Sequence, residues 1–354
     1  MPEPTAPRQL TRRRKALLAV LVPLVLWLLL ELVSSIILAR IDVQRPRTDL
    51  PIDDPEWLVH AKEAFKHGFF RPDEYVLWKL APNYNQAPGP VSVYGDTRLI
   101  LNEFGHRSPP MTKGKPEGVR RALIVGGSHP FGMWVNTSEA YSSVLSELLN
   151  ESGPHRWEVL NASSPGHTTF QGRQYIEHYG WEFSPDVVVF DLGMNDELPL
   201  SLDFSAPDHE VAAVPKWTKD AAETAGGSFV YRLLRKALAG SVRRVRSSAT
   251  IRVPLANRIE NLTAVRDLGA QRGFQTLFMS QVGVESWRGP GRARCTFDPS
   301  RYGFEPMADM CGLFAGLGQD AGTHFVDPIH ANPSGHRLIA EAVFARMKEL
   351  GWLD

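Results

Sequence analysis

The sequence predicts an α/β fold in which helices cover both faces of a doubly wound parallel sheet, giving a three-layer αβα sandwich. Three observations support this prediction. From about residue 120 onward, short apolar segments alternate with amphipathic ones at the spacing of successive βα units. Asp186–Leu192 is an almost continuous apolar run, which is typical of a strand covered on both faces. Asn332 followed by Pro333 is a helix-start signal before the last amphipathic segment.

The individual elements of this domain, residues 120–354, follow from hydrophobic periodicity. The predicted strands are Arg121–Val125, Trp157–Asn161, Asp186–Leu192, Gln275–Met279 and His324–Val326. The predicted helices are Ser138–Leu149, Phe170–Tyr179, Arg258–Arg272 and Pro333–Leu350.

Residues 201–255 interrupt the alternation, and we interpret them as an insertion over the active-site edge of the sheet. Within this insertion Tyr231–Arg246 is basic and amphipathic. A solvated helix face explains such a stretch more simply than a site for an anionic ligand.

The amino-terminal part differs in composition from the rest. Residues 16–39 are apolar except for Glu31 and two serines, which is long enough to cross a bilayer. The basic residues of the tail, 1–15, cluster directly before this run and favour a cytoplasmic amino terminus. Because the run is longer than a signal peptide and no small-residue cleavage site ends it, we expect an uncleaved transmembrane anchor rather than a signal peptide.

Residues 40–119 are interpreted as a stalk and a lead-in segment that packs on the main domain. Residues 45–55 are rich in proline and charge. Glu56–His67 has helical spacing, and Val91–Tyr94 is strand-like within a stretch crowded with Pro, Gly and Asn.

Composition limits the function classes. The 354 residues carry 39 Lys and Arg against 39 Asp and Glu, so no excess of positive charge favours nucleic acid as a partner. Two cysteines, Cys295 and Cys311, are too few for a disulfide framework or a cysteine-rich zinc site, but one bridge between them is possible in an oxidising compartment. Two free thiols are nearly as compatible with the sequence. No histidine or carboxylate cluster has ligand spacing, and we expect neither a metal nor a cofactor.

Polar residues follow four of the predicted strands: Ser128, Gly166, Asn195, and Asp327 with His330. Ligands of doubly wound sheets bind beyond the carboxyl ends of the strands, so these residues are expected at one edge. A hydroxyl, an imidazole, a carboxylate and amide donors are the groups that acyl transfer requires. Each residue taken alone has a simpler explanation as a helix cap, turn or surface side chain.

The same residues resemble the conserved blocks of the SGNH hydrolases, also called GDSL-type esterases and lipases. The resemblance covers about residues 97–350, including a lead-in at Asn102–Arg107. Its blocks are Gly126–Gly132, Asn161–Gly166, Gly193–Asp196 and Asp327–His330. The resemblance implies a flavodoxin-like fold, a membrane-anchored bacterial-type member, a nucleophile at Ser128, and an oxyanion hole from Ser128, Gly166 and Asn195.

Two positions depart from the family pattern. Gly127 stands where the first block commonly has aspartate, which is not the catalytic acid. His129 directly after the serine is unusual, and its role as a pocket gate or a plain loop side chain is left open. The chemistry itself assigns His330 as the base for Ser128 and Asp327 as the residue that orients it. His324 and His336 are competitors for the base, although His336 is predicted to lie inside the last helix.

The sequence thus predicts a serine ester hydrolase that acts outside the cytoplasm on an O-acetylated glycan or a lipid ester. Two alternatives stay open: an O-acetyltransferase of envelope polysaccharide with the same groups, and a non-catalytic envelope-binding module. Trp134, Trp217 and Trp287 are candidates for stacking on sugar, although tryptophan more often serves in packing. The oligomeric state is not indicated.

Overall fold

The computed structural model describes residues 11–43, 68–86, 99–199, 207–213, 228–230, 233–234 and 251–353. The chain divides into two compact units. One comprises Met1–Asp54 and Val214–Ser247, and the other comprises Pro55–Ala213 and Ser248–Asp354. The predicted elements Glu56–His67 and Val91–Tyr94 lie outside the described residues, as does most of the predicted insertion.

The first unit contains one long helix, α1, at Arg12–Val43. Its segment Arg12–Ile37 is 26 residues long with a mean hydropathy of 2.7, so it is long and apolar enough to cross a membrane. The helix extends beyond the predicted residues 16–39 at both ends. At the amino end the added arginines and lysine are good helix formers.

The second unit is built around a five-stranded sheet with several short hairpins beside it. The strands in chain order are β1 Phe70–Asp73, β2 Leu77–Leu80, β3 Asn85–Gln86, β4 Leu99–Ile100, β5 Val119–Gly126, β6 Arg156–Asn161, β7 Val187–Asp191, β8 Gln275–Met279, β9 Gln281–Val284, β10 Ala293–Phe297 and β11 Met307–Ala308. The pairs β1–β2, β3–β4 and β9–β10 are antiparallel hairpins.

The central sheet is parallel throughout and has the order β6-β5-β7-β8-β11. Counting its strands along the chain gives the order 2-1-3-4-5, which is the flavodoxin-like arrangement. Its topological switch point lies between β5 and β7, where ligands of such sheets bind.

The helices that cover the sheet are α2 Ser128–Phe131, α3 Tyr141–Glu151, α4 Thr169–His178, α5 Asp208–Ala213, α6 Leu255–Arg272, α7 Met310–Gly316 and α8 Pro333–Glu349. Alternate residues of β5 and β7 point to two separate cores. One core joins the sheet to α3, α7 and α8, and the other joins it to α4 and α6. The predicted three-layer αβα fold is confirmed.

One predicted strand is wrong. The fifth strand of the sheet is Met307–Ala308, a two-residue element without an apolar run. Instead of forming a strand, residue His324 ends a 3-10 helix, and Phe325 makes an isolated antiparallel bridge with Ala331. This bridge closes the loop that carries Asp327 and His330. The start of α8 is as predicted, with Pro333 in the first turn and the Asn332 side chain accepting from the Gly335 amide.

Candidate active site

Ser128 lies at the carboxyl end of β5, at the switch point of the sheet. The strand ends at Gly126, and Ser128 is the first residue of α2. Its side chain is partly exposed, while the surrounding turn is buried. The sheet topology therefore presents this hydroxyl at the edge where a ligand is expected.

His330 contacts Ser128 directly. Its Nε2 lies 2.8 Å from the Ser128 Oγ, and its Nδ1 lies 2.6 Å from Oδ2 of Asp327. The loop between Phe325 and Ala331 brings the imidazole to the serine across 202 positions of sequence. The three predicted residues are thus joined in one hydrogen-bonded chain in the order that serine nucleophiles require.

The Asp327 carboxylate is fixed by its own loop. Its Oδ1 accepts hydrogen bonds from the amides of Ile329 (2.9 Å) and His330 (2.7 Å). Partial burial alone would raise the pKa of Asp327, but the imidazole and these two amides outweigh burial and hold its pKa below the usual value. Asp327 is therefore ionised at neutral pH, as a group that stabilises an imidazolium must be.

Trp134 provides a further donor to this carboxylate. Its Nε1 donates to Oδ2 of Asp327 at 3.1 Å, so this oxygen is shared by the indole and the imidazole. The residue follows α2 and has a φ of 71°, a left-handed conformation that is costly for a bulky side chain. The sequence makes Trp134 a candidate for stacking on sugar, whereas the structure places its indole against Asp327. Of the other two candidates, Trp217 lies outside the described residues and Trp287 packs against the hydrophobic core.

Asn195 follows β7, in a 3-10 turn at Met194–Glu197. Its Nδ2 donates to the carbonyl of His167 at 2.8 Å, which orients the amide and uses one of its two hydrogens. The amide nitrogen lies 2.9 Å from where a Cβ at Gly127 would be. A side chain at Gly127 would therefore press on Asn195, which explains why glycine is suited to this position.

Gly166 lies in the loop between β6 and α4 with a left-handed φ of 80°. Its carbonyl accepts a 2.7 Å hydrogen bond from Nη1 of Arg252, which is fully buried. The guanidinium also binds both carboxylate oxygens of Asp208, at 3.1 and 2.8 Å, and Oε1 of Gln171 at 2.9 Å. Arg252 thus fixes the peptide plane between Gly166 and His167, directly after the Gly166 amide, although sequence reasoning did not select it.

A second buried ion pair supports Asn195. The neighbouring Asp196 accepts from the amide and hydroxyl of Thr169, at 2.8 and 2.6 Å, and lies 3.2 Å from Nε of Arg258. Burial raises the pKa of Asp196 to about 6 despite the opposing effect of Arg258 and Thr169. At neutral pH the pair is charged, and it ties the turn that carries Asn195 to α4 and α6.

His129 and His336 are buried beneath the turn that carries Ser128. His129 is 6% exposed, and its Nδ1 lies 3.5 Å from Oδ2 of Asp191 at the end of β7. It therefore faces the protein interior and does not gate the pocket. His336 lies inside α8, where its Nδ1 accepts from the amide of Tyr141. Burial holds the pKa of His336 well below its usual value, so this side chain is neutral.

The remaining predicted features are also located. His324 contacts the Ser334 hydroxyl through Nδ1 rather than Ser128. Cys295 of β10 and Cys311 of α7 are bonded as a disulfide, with their Cα atoms 5.1 Å apart. Within the described parts of the chain, no group of three or more His, Cys, Asp or Glu side chains is arranged to hold a metal ion.

Two cavities lie apart from the triad. One of about 390 Å³ is lined by residues at the amino end of β8, including Phe274 and Gln275. A second of about 250 Å³ is lined by Ser164 and His167, on the loop that carries Gly166, and by aromatic residues of the lead-in segment and α4. Neither cavity is lined by Ser128, Asp327 or His330.

Sequence reasoning missed the residues that support the site: Trp134, Arg252 with Asp208, and Arg258 with Asp196. The sequence carries one indication that Arg252 is buried. It is a single charged residue between the apolar Ile251 and Val253, and a charged side chain in such a position is buried only when it is paired. The remaining contacts join distant positions without a characteristic spacing.

Neither a family model nor a curated protein matches the chain. Solved structures show similarity at low identity. A crystal structure of TesA has 18% identity over 65% of this chain and 99% of that chain, with a TM-score of 0.39. A lipase/acylhydrolase from Enterococcus faecalis has 16% identity over 65% and 96%, with a TM-score of 0.38. An acetyl xylan esterase, AlAXEase, has 15% identity over 64% and 98%, with a TM-score of 0.40.

Proposed function

We propose that this chain is a membrane-anchored serine ester hydrolase of the SGNH type. The observation that carries the proposal is the hydrogen-bonded chain from Ser128 through His330 to Asp327, with contacts of 2.8 and 2.6 Å. It lies at the switch point of a flavodoxin-like sheet, where ligands bind. The four sequence blocks that resemble the SGNH hydrolases supply these residues and both further members of the oxyanion hole.

In the first half-reaction, the Ser128 Oγ attacks the ester carbonyl and forms a C–O bond while His330 Nε2 accepts its proton. Asp327 stabilises the resulting imidazolium and keeps Nδ1 protonated. The imidazolium then gives its proton to the leaving alcohol as the original ester bond breaks. An acyl group remains on Ser128.

In the second half-reaction, water attacks the acyl-enzyme and His330 accepts its proton. The tetrahedral intermediate collapses, Ser128 leaves and recovers its proton from the imidazolium, and a carboxylic acid is released. In both halves the negative oxygen is stabilised by the amides of Ser128 and Gly166 and by the Asn195 side chain. Such preorganised donors are each worth ~2.7–4 kcal/mol in the transition state.

We place the catalytic unit outside the cytoplasm, with α1 as a single transmembrane anchor. The basic residues Arg12, Arg13, Arg14 and Lys15 precede the apolar span and favour a cytoplasmic amino terminus. The bond between Cys295 and Cys311 is compatible with an oxidising compartment. Substrates in this location are acyl esters of the envelope, either O-acetylated glycans or lipid esters.

The test uses the purified full chain in detergent with a panel of 4-nitrophenyl esters and O-acetylated glycans. We expect release of the free acid, and its loss in His330→Ala by several orders of magnitude, because triad members act as one unit. His324→Ala is the matched control, since His324 contacts Ser334 rather than Ser128. Equal loss in both variants, or turnover that survives in His330→Ala, contradicts the assigned roles.

A further inference from the structure

Arg107 is a buried cation that the proposed mechanism does not use. It is 2% exposed and ends the lead-in block Asn102–Arg107. Its backbone amide donates to the carbonyl of Asn161, the last residue of β6, at 3.0 Å. A buried guanidinium is stable only where acceptors satisfy its N–H donors. The acceptors therefore show what this side chain holds in place.

The acceptors lie in the α2 loop, which we define as residues 131–137 and which leads away from the nucleophile. The guanidinium donates to three carbonyl oxygens of this loop, those of Phe131, Gly132 and Val135, at 3.0, 2.5 and 2.5 Å. Its Nε also donates to the Thr137 hydroxyl at 3.2 Å. The last carbonyls of a helix have no partners within the helix, so a cation that binds them fixes how the chain leaves α2.

The α2 loop has a backbone conformation that is costly for one of its residues. Gly132 and Trp134 are both left-handed, with φ of 81° and 71°. A Cβ at Gly132 would lie 2.9 Å from the Cβ of Ala140 and 3.2 Å from Nη1 of Arg107, so glycine is suited to this position. At Trp134 the left-handed backbone persists only if surrounding contacts hold it. The bonds from Arg107 to the carbonyls on both sides of Trp134 are such contacts.

This loop conformation directs the Trp134 indole at the triad. Its Nε1 donates to Oδ2 of Asp327 at 3.1 Å, and the same oxygen lies 2.6 Å from Nδ1 of His330. The indole therefore helps to fix the carboxylate that orients the base. The contacts between Arg107 and the α2 loop are thus one step removed from the triad.

We propose that Arg107 is a positioning residue for ester hydrolysis, which holds the α2 loop in the conformation that brings the Trp134 indole to Asp327. This inference rests on the proposed function, because it gives Arg107 a part in the reaction of the same site. It has two consequences. Replacing the guanidinium must release the indole, whether or not any ester turns over. The resulting loss of kcat must be the same loss that Trp134→Phe causes, because both substitutions remove one contact.

The position of the indole is tested by fluorine NMR of the full chain in detergent, with 5-fluorotryptophan at its nine tryptophans. Trp134→Phe assigns the Trp134 signal by its disappearance. Arg107→Lys keeps the charge and the aliphatic stem, but its single nitrogen cannot reach all three carbonyls. We expect the Trp134 signal in this variant to shift toward that of the unfolded chain. Trp157, which is 3% exposed on β6, is the internal control and should not shift.

The effect on the reaction is tested by a double-mutant cycle with 4-nitrophenyl acetate as substrate. Arg107→Lys should lower kcat about tenfold and leave KM within about twofold, because it weakens a bond to the triad and touches no substrate. Adding Trp134→Phe should leave the total loss at about tenfold rather than about a hundredfold, since one contact can be lost only once.

Arg121→Lys is the matched control for both measurements. The Arg121 guanidinium is also fully buried and donates to three carbonyls, those of Thr112, Lys113 and Phe183, each at 2.8 Å. It lies near the amino end of β5, so this variant should keep the wild-type kcat and the wild-type Trp134 signal. Urea unfolding establishes that the variants compared are folded.

An unchanged Trp134 signal in folded Arg107→Lys overturns the proposal, as does a total loss of kcat near a hundredfold in the double variant. An equal loss in Arg121→Lys overturns it too, because the effect would then belong to any buried guanidinium. If Arg107→Lys does not fold, Thr137→Val removes one acceptor of the same guanidinium and must still shift the Trp134 signal. If the wild type hydrolyses no ester, the proposed function fails, whereas the fluorine signal still decides whether Arg107 holds the α2 loop.

Discussion

The most informative substitution away from the triad is at Arg252. Arg252→Met removes the hydrogen bond to the Gly166 carbonyl and both bonds to Asp208, which is 1% exposed. Removing one partner of a buried ion pair costs ~3–5 kcal/mol of stability, because the other charge stays buried and unpaired. The single variant is therefore expected to be strongly destabilised, which would obscure any effect on catalysis.

The double variant Arg252→Met, Asp208→Leu separates the two effects. It removes the unpaired carboxylate, so most of the lost stability should return, while the peptide plane between Gly166 and His167 still lacks the group that holds it. If the Gly166 amide no longer points at the oxyanion, the expected loss is that of one oxyanion donor, ~2.7–4 kcal/mol or roughly a hundredfold to a thousandfold in kcat.

The assay combines kcat on 4-nitrophenyl acetate with urea unfolding of the full chain in detergent. Arg121→Met, Glu158→Leu is the matched control. Arg121 is also fully buried and ion-paired, with its Nε 2.8 Å from Glu158, but it lies near the amino end of β5. The control should keep wild-type kcat. A folded Arg252 double variant with kcat within threefold of the wild type refutes the assigned role of Arg252.

Three further predictions concern other parts of the catalytic unit. Trp134→Phe removes a donor to Asp327, so kcat should fall about tenfold; a kcat equal to that of the wild type contradicts this. Burial lowers the pKa of His167 to about 4, so between pH 6.5 and 4 the unfolded chain binds a proton that the folded chain does not, and stability falls as the pH is lowered. His167→Gln should reduce the loss of unfolding free energy between pH 7.5 and 5 by about 2 kcal/mol, and an identical loss in urea titrations at the two pH values argues against it. Replacing Cys295 and Cys311 by Ser should lower the unfolding free energy by roughly 3 kcal/mol; finding both thiols free in mass spectra of the unreduced wild type contradicts the bond.

The sequence was sufficient to predict the layered fold and to select the residues that the structure brings together at one edge of the sheet. Apolar runs such as Asp186–Leu192 mark buried parallel strands, and the carboxyl ends of such strands share an edge. Ser128 follows directly from this rule. Asp327 and His330 were identifiable because a carboxylate and an imidazole three residues apart can form a local pair.

The fifth strand and the supporting contacts were not predictable in the same way. Met307–Ala308 is too short to give a periodic signal, and its pairing with β8 is fixed by tertiary packing. The bond from Trp134 to Asp327 joins positions 193 residues apart, and that from Arg252 to Gly166 joins positions 86 apart. Neither pair has a spacing that a sequence pattern records, because long-range contacts depend on where the whole sheet brings its loops.

The proposed function depends above all on Ser128 being an activated nucleophile, and covalent labelling by a fluorophosphonate measures this most directly. The folded full chain should take one label, located on the peptide that contains Ser128, and Ser128→Ala should take none. Asn195→Ala should still be labelled but more slowly, since the hydroxyl and its base remain while one oxyanion donor is lost. If the folded wild type takes no label at Ser128 and hydrolyses no ester, the chain is a non-catalytic module and the proposed function is wrong.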